Sequence, residues 1–335
     1  MNIVILDDYQ DAVRKLHCAV RLDPYSAKVY TNNVKGLGQL SVRLRDADII
    51  VLIRDRTQIN RQLVDKLPRL KLIAQTGRVG SHVDIAACTE RQIAVAAGSK
   101  CPESAAELTW ALLMAASRRL PQYTANLRHG VWQQSGLKAA SMPPNFCMGT
   151  RLNGKTLGLW GFGSVGQMVA TYGHAFGMRV LIWGSEHSRQ RAADAGFAVA
   201  ANKEQLFSES DFLSLHLRLL ADTRGLITLS DLCLMKPTAV LINTSHAELL
   251  QTDVLVTALN RGRPGMAAID VLDSEPVLPG NTLLRLENCL CTPHIGHVER
   301  EAYEHDFNEA FDSILAFIAG QPVNLVNPQA LRMPR

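Results

Sequence analysis

The sequence predicts an α/β protein of about two domains with parallel sheets. Three observations support this prediction. Short apolar runs alternate with helical patterns along most of the chain, the alternation falls into two series, and the second series opens on a glycine-rich turn. Buried parallel strands joined by crossover helices produce this pattern. A chain of 335 residues also has room for two hydrophobic cores.

The first series occupies about the first hundred residues. Its first apolar run is followed by a helix that we predict from about Asp11, and helical patterns also precede the second and third runs. The four predicted strands are Asn2–Leu6, Asp48–Ile53, Leu70–Gln75 and Ile93–Ala96.

The second series follows a long helix predicted over Pro102–Leu120, which has a proline near its start and another just past its end. Apolar residues surround most of this helix, so we expect it to be buried, either between domains or in a subunit contact. A final amphipathic helix is predicted over Tyr303–Ile318. The strands predicted between these helices are Thr156–Trp160, Arg179–Trp183, Phe212–Leu217, Ala239–Asn243, Ala267–Val271 and Asn288–Cys291.

Charge and composition exclude several classes of protein. The net charge is +4 and the basic residues are scattered, which argues against a nucleic-acid partner. No apolar run is long enough to cross a membrane and no secretory signal is recognisable, so we expect a cytoplasmic protein with no membrane partner. The seven cysteines form no zinc pattern, so free thiols and no metal are expected. Cys289 and Cys291 are expected on opposite faces of a strand, and therefore not bonded to each other.

The glycine-rich turn has the pattern of a dinucleotide-binding loop. It reads Gly161-Phe-Gly163-Ser-Val-Gly166, between a predicted strand and a predicted helix. Gly161 would allow a tight turn, Gly163 would let the backbone approach a pyrophosphate, and Gly166 would let the helix pack closely on the strand. The amides at the start of the helix would bind the phosphates, so we expect a bound nicotinamide dinucleotide.

The turn after the next strand contacts the adenosine ribose in folds of this kind, and here it reads Gly184-Ser185-Glu186. Glu186 could accept hydrogen bonds from the ribose hydroxyls of NAD. The hydroxyls and arginines that follow, Arg189 and Arg191 among them, would suit the 2′-phosphate of NADP. The sequence therefore favours NAD as the cofactor and leaves NADP open.

A histidine and a glutamate follow two of the later predicted strands. His294 comes after Asn288–Cys291 and Glu275 after Ala267–Val271, so both lie at the edge where open α/β sheets bind ligands. An imidazole can donate a proton to a carbonyl oxygen as hydride reaches the carbon. A carboxylate beside it would fix its tautomer and favour its charged form. His294 and Glu275 are therefore predicted catalytic residues.

Four motifs occur in order along the chain. They are Gly161–Gly166, Asn243-Thr-Ser-His-Ala247, Asp270-Val-Leu-Asp-Ser-Glu-Pro276 and Pro293-His-Ile-Gly296. Their order and spacing resemble the D-isomer-specific 2-hydroxyacid dehydrogenase family, and the chain looks phosphoglycerate dehydrogenase-like. The resemblance implies two Rossmann-like domains, the outer one formed from both chain ends, and a homodimer. The substrate domain would comprise residues 1–101 and 299–335, and the NAD(P)-binding Rossmann domain residues 102–298.

The resemblance also implies a set of site residues. The loop that holds Arg78, Val79 and Gly80 offers backbone amides to the substrate carboxylate in this family. Arg54 begins an Arg-Asp-Arg-Thr segment similar to one whose arginines face a phosphorylated substrate. The cofactor-binding residues implied are Gly161, Gly163, Ser164, Val165, Gly166, Gly184, Ser185, Glu186, Thr109, His216, Arg218, Thr244, Asp270 and Gly296.

One position departs from the family pattern. The family has an arginine where this chain has His246, and that arginine clamps the substrate carboxylate and polarises its carbonyl. A guanidinium is always charged and forms two parallel bonds to a carboxylate, whereas an imidazole is shorter and is mostly neutral near pH 7. His246 therefore enters the predicted catalytic set as a weakened replacement, and Arg54, Arg78 or Arg218 could supply the missing charge.

These residues predict an oxidoreductase that transfers a hydride between a nicotinamide dinucleotide and a D-2-hydroxy acid or its 2-keto acid. Acids of the phosphoglycerate, glyoxylate or hydroxypyruvate type are compatible with the resemblance. The alternative is a non-catalytic NAD(P)-binding sensor or partner-binding dimer, which the loss of the arginine at His246 favours. The presence of both Glu275 and His294 opposes this alternative, because a protein that only binds has no use for an acid–base pair.

Overall fold

The chain forms two compact units in a computed structural model that describes residues 1–99, 101–133 and 148–331. The split unit comprises Met1–Cys101 together with Val298–Arg335, and the central unit comprises Pro102–His297. Each unit contains one parallel sheet, of five strands in the split unit and seven in the central unit. The predicted α/β class with parallel sheets is confirmed.

The sheet of the split unit has the strand order β2-β1-β3-β4-β5, and all its pairings are parallel. Two of the three inner strands, β3 and β4, are buried at every position, because side chains of helices pack on both of their faces. The elements of the first segment are β1 (Asn2–Ile5), β2 (Ser26–Val29), α1 (Leu37–Leu44), β3 (Ile49–Ile53), α2 (Arg61–Val64), β4 (Leu72–Thr76), α3 (Ile85–Glu90) and β5 (Ala94–Ala97).

The start of the chain departs from the sequence prediction. The helix expected from about Asp11 is replaced by two short 3₁₀ helices, Val13–Lys15 and His17–Leu22, and Leu16 between them has an extended backbone. The carboxylate of Asp8 accepts hydrogen bonds from the amides of two nearby residues, which fixes a turn in place of a first helical turn. Strand β2 was not predicted, because its residues are mostly exposed and carry no apolar run.

The central unit has the strand order β12-β11-β10-β9-β6-β7-β8, again entirely parallel. The chain starts this sheet at β6 and then extends it on both sides, so a topological switch point lies beside the C-terminal end of β6. Its elements are α4 (Pro102–Arg118), α5 (Leu120–Arg128), β6 (Thr156–Trp160), α6 (Ser164–Ala175), β7 (Arg179–Trp183), α7 (Glu186–Asp194), β8 (Ala198–Val199), α8 (Lys203–Glu209), β9 (Phe212–Leu215), α9 (Leu229–Leu234), β10 (Val240–Asn243), α10 (Val254–Asn260), β11 (Met266–Ile269) and β12 (Cys289–Cys291).

Helix α4 packs within the central unit on one side and ends earlier than predicted. Leu112 and Leu113 are buried in its core, and Trp110 packs at an angle on Tyr172 and Phe176. The helix stops because Arg119 has a left-handed backbone, with φ +53°, before α5 begins.

Helix α11 (Arg300–Ile318) returns the chain to the split unit. Its apolar face, which includes Phe307, Phe311 and Ile314, is buried against residues of β1, β3 and β4. The core of this unit is therefore built from two segments that are far apart in the chain.

The cysteine pair of β12 corrects one expectation. Residues two apart on a strand point to the same face, so the expectation that Cys289 and Cys291 lie on opposite faces is wrong. Their Sγ atoms are 3.6 Å apart and both thiols are free.

Among the described residues, the helices are too short or too polar to span a membrane, and three metal-ligating side chains do not cluster anywhere.

Candidate active site

The glycine-rich loop joins β6 to α6 at the switch point of the central sheet. Gly161 has φ +106°, and a Cβ on it would overlap the carbonyl oxygen of His216. A Cβ on Gly166 would lie 2.5 Å from the carbonyl oxygen of Gly161. Both positions therefore require glycine, Gly161 for its positive φ in the tight turn and Gly166 for the close approach of the helix to the turn.

Gly163 differs from these two glycines. It is exposed, and a Cβ built on it would have no protein atom within 4 Å. Helix α6 begins at the next residue, so the amides of Ser164 and Val165 are first-turn donors at the positive end of the helix dipole. Open space beside a bare backbone, next to a helix N-terminus, fits the pyrophosphate of a dinucleotide.

We predict that Gly163→Val lowers NADH affinity at least tenfold and leaves the fold intact. The valine side chain would fill the space that a pyrophosphate needs, and its Cβ would have no protein atom within 4 Å. Calorimetric titration of NADH measures the effect, and the melting temperature checks the fold. Gly280→Val is the matched control, since a Cβ there also meets no atom. Equal NADH affinity in wild type and Gly163→Val would contradict the assignment of this loop.

In the turn after β7, the predicted cofactor residues Ser185 and Glu186 each bind a neighbouring residue of α7. Ser185 caps α7 by accepting a hydrogen bond from the amide of Ser188 at 3.3 Å. Glu186 forms an ion pair with Arg189, whose guanidinium lies 4.7 Å from the ring centre of Trp183. The only acid of the turn is therefore neutralised by an arginine, which agrees with a turn able to accept either NAD or NADP.

His294 and Glu275 are in direct contact. His294 Nδ1 lies 2.5 Å from Glu275 Oε2, and the other oxygen of this carboxylate accepts a hydrogen bond from the amide of Leu272 at 2.9 Å. Both side chains are about one-third exposed, so they are accessible. The carboxylate holds the Nδ1 proton of the imidazole, which leaves Nε2 to exchange a proton with a ligand.

The backbone at His294 has φ +52°, a left-handed conformation that is strained for a histidine. Asp270 fixes this conformation. Its backbone carbonyl accepts the amide of His294 at 2.9 Å, and its buried carboxylate accepts the amides of Ile295 at 2.9 Å and Gly296 at 2.8 Å. The same carboxylate accepts the hydroxyl of Thr292 at 2.6 Å. Asp270 thus organises the loop that presents the imidazole.

His246 follows β10 in the same unit. Its carbonyl accepts the side-chain amide of Asn243 at 2.8 Å, and Asn243 in turn accepts the amide of Ser245 at 3.0 Å. Thr244 lies 2.6 Å, hydroxyl to hydroxyl, from Thr109 of α4. This network fixes the backbone of the segment while the side chain of His246 stays half-buried.

Two other predicted cofactor residues have different environments. Burial lowers the pKa of His216 to about 4, so its imidazole is neutral at pH 7, and it lies 3.0 Å from the hydroxyl of Ser214. Arg218 is exposed.

In the split unit, the predicted substrate residues lie after β3 and β4. Arg78 and Gly80 are exposed and Val79 is half-buried. Arg54 is committed to an ion pair with Asp306 of α11. The sequence prediction missed Asp306, and the available signal was an acidic residue on the apolar face of an amphipathic helix.

Comparisons with known proteins agree with this geometry. The family model described as the NAD binding domain of D-isomer specific 2-hydroxyacid dehydrogenase matches residues 110–296. The glyoxylate reductase of Aeropyrum pernix is 36% identical over 87% of this chain and 86% of its own length. The chain belongs to the D-isomer-specific 2-hydroxyacid dehydrogenase family.

Solved structures extend the likeness to the whole chain. A proposed D-3-phosphoglycerate dehydrogenase oxidoreductase from Ralstonia solanacearum is 57% identical, with a TM-score of 0.97 over 99% of this chain and 98% of its own. The D-lactate dehydrogenase of Aquifex aeolicus, solved with NAD and lactic acid, is 27% identical, with a TM-score of 0.77 over 97% of this chain and 99% of its own. This member of the D-2-hydroxyacid dehydrogenase family is an NAD-dependent oxidoreductase of 2-hydroxy and 2-keto acids.

Proposed function

We propose that the enzyme interconverts a short D-2-hydroxy acid and its 2-keto acid, of the phosphoglycerate, glyoxylate or hydroxypyruvate type, with His294 as proton donor and acceptor. The 2.5 Å contact between His294 and Glu275 carries the proposal, because a histidine oriented by a carboxylate is suited to proton transfer. The relatives named above are enzymes, so they lend no support to the non-catalytic alternative.

Different residues of the central unit bind the cofactor and transfer the proton. A bound nicotinamide dinucleotide supplies the hydride for reduction of the keto acid. The 161–166 loop binds its pyrophosphate, and the turn at 184–186 binds the adenosine ribose. His294 Nε2 donates a proton to the carbonyl oxygen of the substrate, and Glu275 balances the charge of the imidazolium before that transfer. Asp270 holds the imidazole in position.

The carboxylate of the substrate needs its own partners. We assign it to the backbone amides of Val79 and Gly80 and to the guanidinium of Arg78, which is exposed beside them. His246 stands at the family's arginine position and contributes a full positive charge only when it is protonated. Binding of the carboxylate therefore depends on pH more than it would with arginine.

A panel of 2-keto acids tests this function. Glyoxylate, hydroxypyruvate, phosphohydroxypyruvate and pyruvate would each be mixed with NADH or NADPH, and cofactor oxidation would be followed by absorbance. We expect turnover of at least one short keto acid, and we expect His294→Asn to lower that turnover by a factor of about 10²–10⁴. Binding of NADH without its oxidation by any of these acids would favour the non-catalytic alternative.

We also propose that the enzyme is a homodimer. Helix α5 contains no buried residue, and Leu120, Leu127 and the following Trp132 are 53%, 55% and 72% exposed. A cluster of large apolar side chains on one segment suits a contact with a second copy. Sedimentation at micromolar concentration should give twice the mass of the chain, and a single-chain mass would contradict the proposal.

We propose a cytoplasmic location as well. The described cysteines are not joined in disulfides, even though the thiols of Cys289 and Cys291 lie next to each other, and this suits a reducing compartment. Cell fractionation would test the location directly.

A further inference from the structure

The split unit contains a buried ion pair that the proposed chemistry does not use. Arg54 Nη2 lies 2.8 Å from Asp306 Oδ2. The side chain of Asp306 is 4% exposed and that of Arg54 is 22% exposed. Within the described part of the chain, Arg54 Nε and Asp306 Oδ1 are buried without a hydrogen-bond partner. The two opposite charges therefore offset each other, while His305 and Glu309 lie close enough to Asp306 to act on it electrostatically.

This pair lies directly beneath the loop that carries Arg78, Val79 and Gly80. The amide of Arg54 donates to the hydroxyl of Thr76 at 3.0 Å, and its carbonyl accepts the side chain of Gln75 at 2.9 Å. Its guanidinium packs against Gly77 so closely that a Cβ there would overlap Nη1. A change of charge at the pair would consequently be felt at the loop, since the interior screens charges less than water does.

Arg56, the second arginine of the Arg-Asp-Arg-Thr segment, also binds other groups of the protein. Arg56 donates to the backbone carbonyl of Asp7 at 2.6 Å and to the hydroxyl of Tyr303 at 3.3 Å, and it lies 4.7 Å from the ring centre of Tyr9. Arg78 is then the exposed cation beside the proposed carboxylate site. One cation suits one carboxylate, whereas a phosphate adds up to two further negative charges and calls for further guanidinium contacts.

We propose that Asp306 is a specificity-determining residue. By cancelling the charge of Arg54, it makes the enzyme select a 2-keto acid whose only anionic group is its carboxylate over one that also carries a phosphate. The inference rests on the proposed function, because it concerns the substrate of the same site.

The ion pair is a weak source of stability, which makes the test practicable. Burial raises the pKa of Asp306 above its ordinary value, even though Arg54 opposes this effect. Asparagine has the same shape as aspartate and still accepts a hydrogen bond from Arg54, whose side chain is 22% exposed and keeps contact with water, so Asp306→Asn should fold.

The test compares hydroxypyruvate with phosphohydroxypyruvate, which differ only by the phosphate. We expect wild type to prefer hydroxypyruvate by kcat/KM. Asp306→Asn should shift the ratio of the two values about tenfold towards the phosphorylated acid, because it leaves the Arg54 charge uncompensated. Asp312→Asn is the matched control, since Asp312 lies on the same helix and pairs with Arg21 in an exposed position. A wild-type preference for the phosphorylated acid, or equal shifts in both variants, would overturn the proposal.

A double variant separates charge from structure. Arg54→Met with Asp306→Leu removes both charges, so the ratio of the two substrates should stay within about threefold of wild type. If the double variant also shifted the ratio of kcat/KM for the two substrates tenfold, the role of the pair would be structural only, and the proposal would be overturned.

Binding keeps the inference distinct from the proposed function. D-Glycerate and 3-phosphoglycerate would be titrated calorimetrically onto the NAD-saturated enzyme. Asp306→Asn should raise the affinity for 3-phosphoglycerate relative to D-glycerate, whether or not the wild type turns over any keto acid. The inference would be overturned if Asp306→Asn left this relative affinity unchanged. It would also be overturned if neither acid bound to wild type or to Asp306→Asn.

Discussion

His294→Asn should lower kcat for the best keto acid by a factor of about 10²–10⁴, the usual contribution of a positioned general acid. Glu275 orients the imidazole of His294 through the 2.5 Å contact between Glu275 Oε2 and His294 Nδ1. An asparagine amide cannot donate a proton to the substrate in place of this imidazole. The loop should keep its shape, because asparagine tolerates the left-handed conformation at φ +52° better than most residues. Steady-state kinetics at saturating NADH measure the loss.

Two further variants sharpen this result. His129→Asn removes an exposed histidine of the same unit and should leave kcat unchanged. Glu275→Gln should give a smaller loss than His294→Asn, because the imidazole remains while its oriented and charge-balanced state is weakened. NADH affinity should stay within about twofold in all three variants. Wild-type kcat in His294→Asn would show that another group transfers the proton.

The second large expected effect is an increase in kcat/KM on substitution of His246. His246→Arg should raise kcat/KM for the best keto acid at least tenfold, since a forked guanidinium contact with the carboxylate would add about 2–4 kcal/mol of transition-state binding. The substitution is compatible with the backbone, because His246 has an extended conformation and its carbonyl is held by Asn243. Steady-state kinetics at pH 7 measure the gain.

A pH series separates the role of His246 from that of His294. Protonation of either histidine favours reduction, so wild-type KM should fall as the pH is lowered from 8 to 6. His246→Arg should lose most of this dependence of KM while kcat keeps its own. Brisk wild-type turnover with no gain in His246→Arg would show that Arg78 or Arg218 already supplies the charge.

The features that the sequence predicted well depend on local patterns or on neighbouring parallel strands. Strand β3 is a continuous apolar run, β4 and β6 are mostly apolar, and the glycine spacing of the 161–166 loop reflects backbone geometry within six residues. The contact between Glu275 and His294 was predicted because both follow neighbouring parallel strands, whose C-terminal ends must meet at one edge of the sheet.

The features that it missed depend on distant contacts or weak patterns. Asp306 pairs with a residue from the other segment of the split unit, and no local pattern indicates which arginine it neutralises. Strand β2 is recognisable only from its pairing with β1, since its own side chains are mostly exposed. The turn at Asp8 replaces a helix through side-chain bonds to the backbone that periodicity does not register.

The two-segment construction of the split unit affects the order in which the chain can fold during synthesis. Its first segment leaves the ribosome well before α11, whose Phe307 and Phe311 complete the core against β1, β3 and β4. At ordinary translation rates, roughly two hundred intervening residues correspond to roughly ten to forty seconds. During that interval the central unit can fold, while one face of the earlier sheet remains uncovered. A nascent chain that stalls before residue 298 would therefore expose an aggregation-prone apolar surface, and chaperones that bind such surfaces have a defined window in which to act.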